Sequence, residues 1–374
     1  MNAERLHAIC VALKYAIEST RLLEELKTVN SLLQNVVAQP QQPNHQQELA
    51  KHLDTFYSSL SNFPTESFSP AWRQSLYELG GTEILGNKLA ERIRNILERN
   101  QIMPVAASQE ILEILQHLQQ FNTAIDDITK GFEYLGIGAD ELNAGECELG
   151  VLVPRDAVHN NIQEFGKELQ DLNFIFGTFS ELASGKRDTF KIKTISSSDL
   201  MVFLAAIPPV AACIAHATER IVKVYKTLLE IKKLKAELKQ QGLKDEALKG
   251  ITEYASSVMS DRIKELTMEI VDAYYEGNDS NRKNELTNAV RISLNRLANR
   301  IDRGFNIEVR AEPSEEPEEG DGEDDEKKKA RMQIQTVIDA SISLQFMKLQ
   351  GGRILHLPEK ATSTKTTKPK TEKK

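Results

Sequence analysis

The stretch SQEILEILQHLQQFNTAIDDITKGFEYL, residues 108–135, decides the reading of the fold. Ile111, Ile114, Leu118, Phe121, Ile125, Ile128, Phe132 and Leu135 follow one another at spacings of three and four, which on an α-helix puts them all on one stripe. A stripe of this length wants a partner helix. These residues are therefore the candidate association seam.

The same spacing recurs twice further along the chain. Val158, Ile162, Phe165, Leu169, Leu172, Phe176 and Phe179 form a second stripe, and Ile214, Ala217, Ile221, Val224, Leu228, Ile231 and Leu238 a third, with Lys235 in one core slot. Helices with such stripes are best satisfied by packing on one another. Gly and Pro together are only 31 of 374 residues, so long regular elements are expected.

Short runs of a different period lie between the helices. Leu149 to Val153, Phe190 to Ile195 and Phe305 to Val309 read as strands that pair into a small antiparallel sheet, where Lys191 or Lys193 would face Glu308; Arg353 to Leu357 is a weaker fourth candidate. The expected class is mainly α: an elongated helical bundle with coiled-coil-like heptad seams and two to four short antiparallel strands.

Leu200 to Ala215 is apolar throughout, between Asp199 and His216. It is shorter than the roughly 20 residues a spanning helix needs, and Pro208-Pro209 interrupts it. The reading is a short buried helix capped by Ser198 or Asp199 and ended by Ile207. Pro209 then opens the first turn of a helix that runs to about Gln240. A membrane-inserting hairpin is the alternative.

Towards the N-terminus, residues 3–37 read as one amphipathic helix, followed by helices at about 46–60, 70–79 and 82–100, the last with Thr82 as N-cap. Further helices are expected over 243–275, 281–303 with Gly304 as C-terminal cap, and 327–349. The organisation is an N-terminal helical region (1–104), a central bundle with strands (105–311), an acidic linker (312–326), a C-terminal helix with the weaker strand (327–357), and a Lys/Thr tail (358–374). Linker and tail are expected to be disordered.

The formal charge of −8 averages two extremes. Residues 312–326 hold ten carboxylates and no base, the last fifteen residues carry a net +5, and the rest is close to balance at −3. So neutral a body argues against a dedicated nucleic-acid-binding domain.

No local motif frames a catalytic or metal site. The seven histidines include no HExxH, and Glu4 with His7 forms one ExxH, read as a surface pair. Gly136-Ile137-Gly138 follows a helix and reads as its C-terminal cap. Neither GxxxxGK[ST] nor GxSxG occurs, and 312–326 lacks the ligand spacing of an EF-hand. Cys10, Cys147 and Cys213 are far apart, which suits reduced thiols in a cytoplasmic protein. No cofactor, metal or small-molecule substrate is implied.

One charge pattern remains. Arg220, Lys223, Lys226, Lys232, Lys233, Lys235 and Lys239 outnumber Glu219, Glu230 and Glu237 on the long helix, and form a candidate face for anions or partners, which residues 312–326 of the same chain could cover. The expected function is a non-catalytic scaffold, adaptor or regulatory subunit that associates with a protein partner or itself. Membrane association through 200–215, and nucleic-acid association through the helix lysines and the tail, are the alternatives.

Overall fold

The computed structural model describes residues 3–196, 200–242, 244, 248–314, 325–344 and 353–360. Among them are eleven α-helices and one four-stranded antiparallel sheet. The chain divides into two units: one comprises 1–143, 196–198 and 341–346, the other 144–195, 199–340 and 347–374.

The first unit is built from α1 (Ala3–Ser19), α2 (Leu22–Ala38), α3 (Pro43–Ser61), α4 (Pro70–Glu78), α5 (Gly86–Arg99) and α6 (Pro104–Tyr134). The single helix expected over 3–37 is in fact two. Ser19 and Thr20 both turn their hydroxyls back onto the Ala16 carbonyl, at 3.4 and 2.7 Å, and Arg21 takes a left-handed conformation at φ 51°. Hydroxyls that compete for helix carbonyls end the ladder even though the apolar stripe runs on. Nor is Thr82 an N-cap: 82–84 make a 3-10 turn, and the first turn of α5 is capped from a distance, by the Glu66 carboxylate accepting the Asn87 N–H at 3.0 Å.

Helix α6 packs against α1, α2 and α5. Its stripe supplies the middle of the core: Ile111, Ile114, Leu118, Phe121 and Ile125 are buried with Leu13 and Ile17 of α1 and Leu26, Val29 and Leu33 of α2. Ile128 is partly buried against the same core. The stripe runs out at the end of the helix, where Phe132 is half-buried and Leu135 is 69% exposed. Gly136, at φ 70°, then closes the helix and lets the Ile137 N–H return to the Phe132 carbonyl at 2.9 Å, as the cap reading expected. His7 is not half of a surface pair. Its ring is buried against Phe132, and Nδ1 donates to the Ile137 carbonyl at 2.7 Å while Glu4 stays exposed.

The second unit contains β1 (Cys147–Val153), α7 (Ile162–Ser184), β2 (Lys191–Ile195), β3 (Leu200–Ala206), α8 (Pro208–Gln240), α9 (Lys249–Tyr274), α10 (Ser280–Asp302), β4 (Asn306–Ala311) and most of α11 (Asp325–Ser343). Strand order is β2-β3-β1-β4, every neighbour antiparallel. The first half of the apolar run is thus strand β3, not a short buried helix. Met201, Val202 and Phe203 of this strand are buried in succession, so residues on both of its faces are covered, which is why period gave no warning. The proposed caps Ser198 and Asp199 lie outside the described residues. Two strands separate β2 from β4, so Lys191 and Lys193 cannot face Glu308; Lys193 reaches Glu146 at 3.8 Å, and Glu148 stands opposite Arg310.

Helices α7, α8, α9 and α10 pack around one another as a four-helix arrangement, and α8 also lies against β1 and β4. Asn161 caps α7 by accepting the N–H groups of Gln163 and Glu164. The second stripe therefore begins later than its spacing suggests: Val158 belongs to a 3-10 turn and Ile162 is 88% exposed, whereas Leu172, Phe176 and Phe179 are buried. Helix α10 starts under its N-cap Asp279 and ends at Gly304, whose φ of 94° only glycine adopts without strain. Helix α11 takes in Asp325 and Glu326, so two residues of the expected linker instead supply acids to a helix N-terminus, where they are favoured.

Candidate anion-binding cleft

The site begins with a polar stripe on α10. Asn295, Asn299 and Asp302 are four and three residues apart, hence on one face. That face grips residues 354–359 by their backbone. Asp302 Oδ2 accepts the N–H groups of Ile354 and Leu355, both at 2.8 Å, and Asn299 takes the Leu357 N–H at 3.1 Å while donating to the Leu357 carbonyl at 3.0 Å. Asn295 donates to the Pro358 carbonyl at 2.9 Å. The segment is extended but pairs with helix side chains rather than a strand, so Arg353 to Leu357 is no part of the sheet. Ile354 and Leu355 are buried, which leaves Arg353 and His356 as the side chains turned outward.

Asp302 has a second duty. Its Oδ1 accepts from the Tyr225 hydroxyl at 2.6 Å and from Lys232 Nζ at 3.1 Å, and Lys232 also donates to the Asp302 carbonyl at 2.9 Å and to the Tyr225 oxygen at 3.1 Å. Lys232 is 2% exposed and Asp302 likewise. A buried ammonium persists only when a carboxylate and enough acceptors surround it, and here three oxygens do so. Burial, and then the Asp302 charge, push the Tyr225 phenol far above its ordinary range, so it stays a neutral donor. On α10's other flank Arg296, Arg300 and Arg303 pair with Glu168 and Asp171 of α7 at 2.6–3.0 Å, which holds the helix in position.

Above this anchor lies a cleft of about 610 Å³ between the C-terminal part of α8, the N-terminal part of α9 and the gripped segment. Lys235, Lys239, Lys249, Arg353 and His356 line it, with Glu253 the one carboxylate among its lining residues. Lys235 is held by Thr252 Oγ1 at 3.0 Å and the Arg353 carbonyl at 2.9 Å, both neutral acceptors, so its charge is not cancelled. Ser256 accepts the His356 N–H at 3.1 Å and fixes that part of the wall. A size of several hundred cubic ångströms with convergent cations suits an extended or multiply charged anion.

The seven basic residues expected on one face are thereby sorted into different surroundings. Lys232 is the buried partner of Asp302 and lines the cleft with Lys235 and Lys239. Arg220 is neutralised by Glu269 at 2.9 Å, beside His216 at the same distance. Partial burial would raise the Glu269 carboxyl, but the bonds from His216 and Arg220 outweigh it and hold it below the usual range. Lys233 pairs with Glu230 one turn away, and Lys223 and Lys226 are exposed. Sequence reasoning missed Lys249, Arg353 and His356, which arrive from elsewhere in the chain. Nothing in the local sequence marks Lys249, Arg353 or His356. The candidate association seam belongs to the first unit, with its first five residues within that unit's core.

Comparison of the chain with known protein families, with characterised proteins and with solved structures returns no match. Function must be argued from the cleft itself. Among the described residues no helix is long and apolar enough to cross a membrane, and no His, Cys, Asp and Glu side chains cluster as a metal site would need. The run 200–215 is divided between β3 and the first turns of α8, where Val210 to Ala215 are buried.

All three cysteines are free and buried, and burial pushes the Cys10 thiol up to about 11, Cys147 to about 12 and Cys213 higher still. Native chain treated with a thiol-specific reagent at neutral pH is expected to react at least about tenfold more slowly than denatured chain, since the thiolate is the nucleophile. A rapid native reaction would show that these sites open.

Proposed function

We propose that the chain is a non-catalytic adaptor that recognises an acidic polypeptide segment in the cleft of its second unit. The observation that carries this reading is the convergence of Lys235, Lys239, Lys249 and Arg353 from three elements onto one cavity, where Glu253, 3.8 Å from Lys249, is the one carboxylate among the described lining residues. Cations on separate elements match carboxylates spread along an extended chain better than one compact charge. The lining includes no Phe, Tyr or Trp on which a nucleic-acid base could stack, which favours a polypeptide over single-stranded nucleic acid. Buried thiols suit a reducing compartment such as the cytoplasm.

The test is fluorescence anisotropy of a labelled oligo-glutamate peptide titrated with the full chain. Binding is expected to weaken steeply between about 0.05 and 0.5 M salt, because exposed charges are screened over a Debye length that shrinks from roughly 14 to 4 Å. Lys239→Glu with Lys249→Glu is expected to reduce affinity at least about tenfold, corresponding to 1.4 kcal/mol. Lys223→Glu with Lys226→Glu, on exposed positions outside the cleft, should change it less than about twofold. Equal losses from both pairs, or tighter binding of a single-stranded oligonucleotide than of the peptide, would overturn the reading.

A further inference from the structure

The chain carries its own acidic polypeptide, and the structure says which cleft that segment can reach. Residues 312–326 hold ten carboxylates without a base. The described residues at both ends are anchored far from the cleft. At one end Gly145 donates to the Glu312 carbonyl at 3.1 Å, just before β1, whose Cys147 pairs with Ala206 at the doorstep of α8. At the other end Lys329 pairs with Glu276, beyond the C-terminus of α9.

The cleft sits at the opposite end of these two helices. Along α8, Pro208 and Lys235 are separated by about 40 Å at helical rise, and Tyr274 and Thr252 by roughly 33 Å along α9. The chain from Ser314 to Asp325 spans at most about 40 Å fully extended, so an excursion out and back reaches only about 20 Å from its anchors. The acidic segment therefore cannot cover the lysines of its own cleft, although Arg220, about 18 Å along α8 from Pro208, lies within that reach. In a second copy no such tether applies.

We infer that residues 315–324 of one copy occupy the basic cleft of another, so that the chain self-associates by exchange of acidic segments. This rests on the reading of the cleft as an acidic-peptide site and names its occupant. Each copy offers one segment and one cleft, and reciprocal engagement closes a two-fold pair in which both contacts form together. The contacts lie between exposed charges, so the association is salt-sensitive.

Sedimentation equilibrium of the full chain tests it. In about 0.05 M salt a dimer is expected, with at least a tenfold weaker association constant in about 0.5 M salt. Replacing Glu315, Glu316, Glu318 and Glu319 together by Gln is expected to give a monomer, as is Lys239→Glu with Lys249→Glu. Mixed in equal amounts the two variants should form a one-to-one complex, since one retains the cleft and the other the segment. A wild-type chain that stays monomeric while still binding oligo-glutamate would overturn this inference and leave the proposed function standing; loss of both would overturn both. A dimer indifferent to salt and to either variant would place the interface elsewhere and also refute the exchange.

Discussion

Asp302→Ala is expected to lower the stability of the second unit by about 3–5 kcal/mol, the usual cost of leaving a buried charge without its partner. Lys232 is 2% exposed, and the substitution removes the carboxylate it pairs with. The same change strips the Ile354 and Leu355 N–H groups of their acceptor, so the extended segment loosens and takes Arg353 and His356 away from the cleft. Urea denaturation measures the first effect, and faster tryptic cleavage after Arg353 in the folded protein measures the second. The double substitution Lys232→Met with Asp302→Leu should cost less than Asp302→Ala alone, because no unpaired charge remains. A loss below about 1 kcal/mol for Asp302→Ala would show that Lys232 finds solvent, since only a surface pair contributes so little.

Leu118→Ala is expected to cost about 2–5 kcal/mol through lost burial and the cavity left between α6, α1 and α2. This second prediction decides what the seam on α6 is for. If its partners are helices of the same unit, the unfolding midpoint does not depend on protein concentration with either Leu118 or Ala at this position, once Lys239→Glu with Lys249→Glu has removed the exchange of acidic segments. A wild-type midpoint that rises with concentration and loses that rise in Leu118→Ala would mean that the stripe holds two chains together.

Much of the helical layout is readable from spacing and punctuation. The stripe on α6 lies where the threes and fours place it, and Gly136 and Gly304 close helices as their positions suggest. The helix opened by the double proline ends at Gln240 as expected. The errors have physical causes. A central strand covered on both faces has no alternation to betray it, so β3 passes for a buried helix. The break at Thr20 leaves the apolar pattern intact, because it is made by hydroxyls competing for one carbonyl. Thr82 looks like a cap, yet the cap of α5 comes from Glu66, a relation no local window contains.

What the chain determines by itself is local: which stretches turn into helices, where glycine ends them, and which side of each is apolar. These follow from a few residues acting on their neighbours along the backbone. Tertiary structure decides the fate of charge. Lys232, Lys235 and Lys233 stand within one turn of the same helix, yet one is buried on Asp302, one lines a cleft and one pairs with Glu230 at the surface. That difference depends on what α9, α10 and residues 353–360 bring alongside, because an ion's energy is set by the dielectric and the opposite charges around it in space.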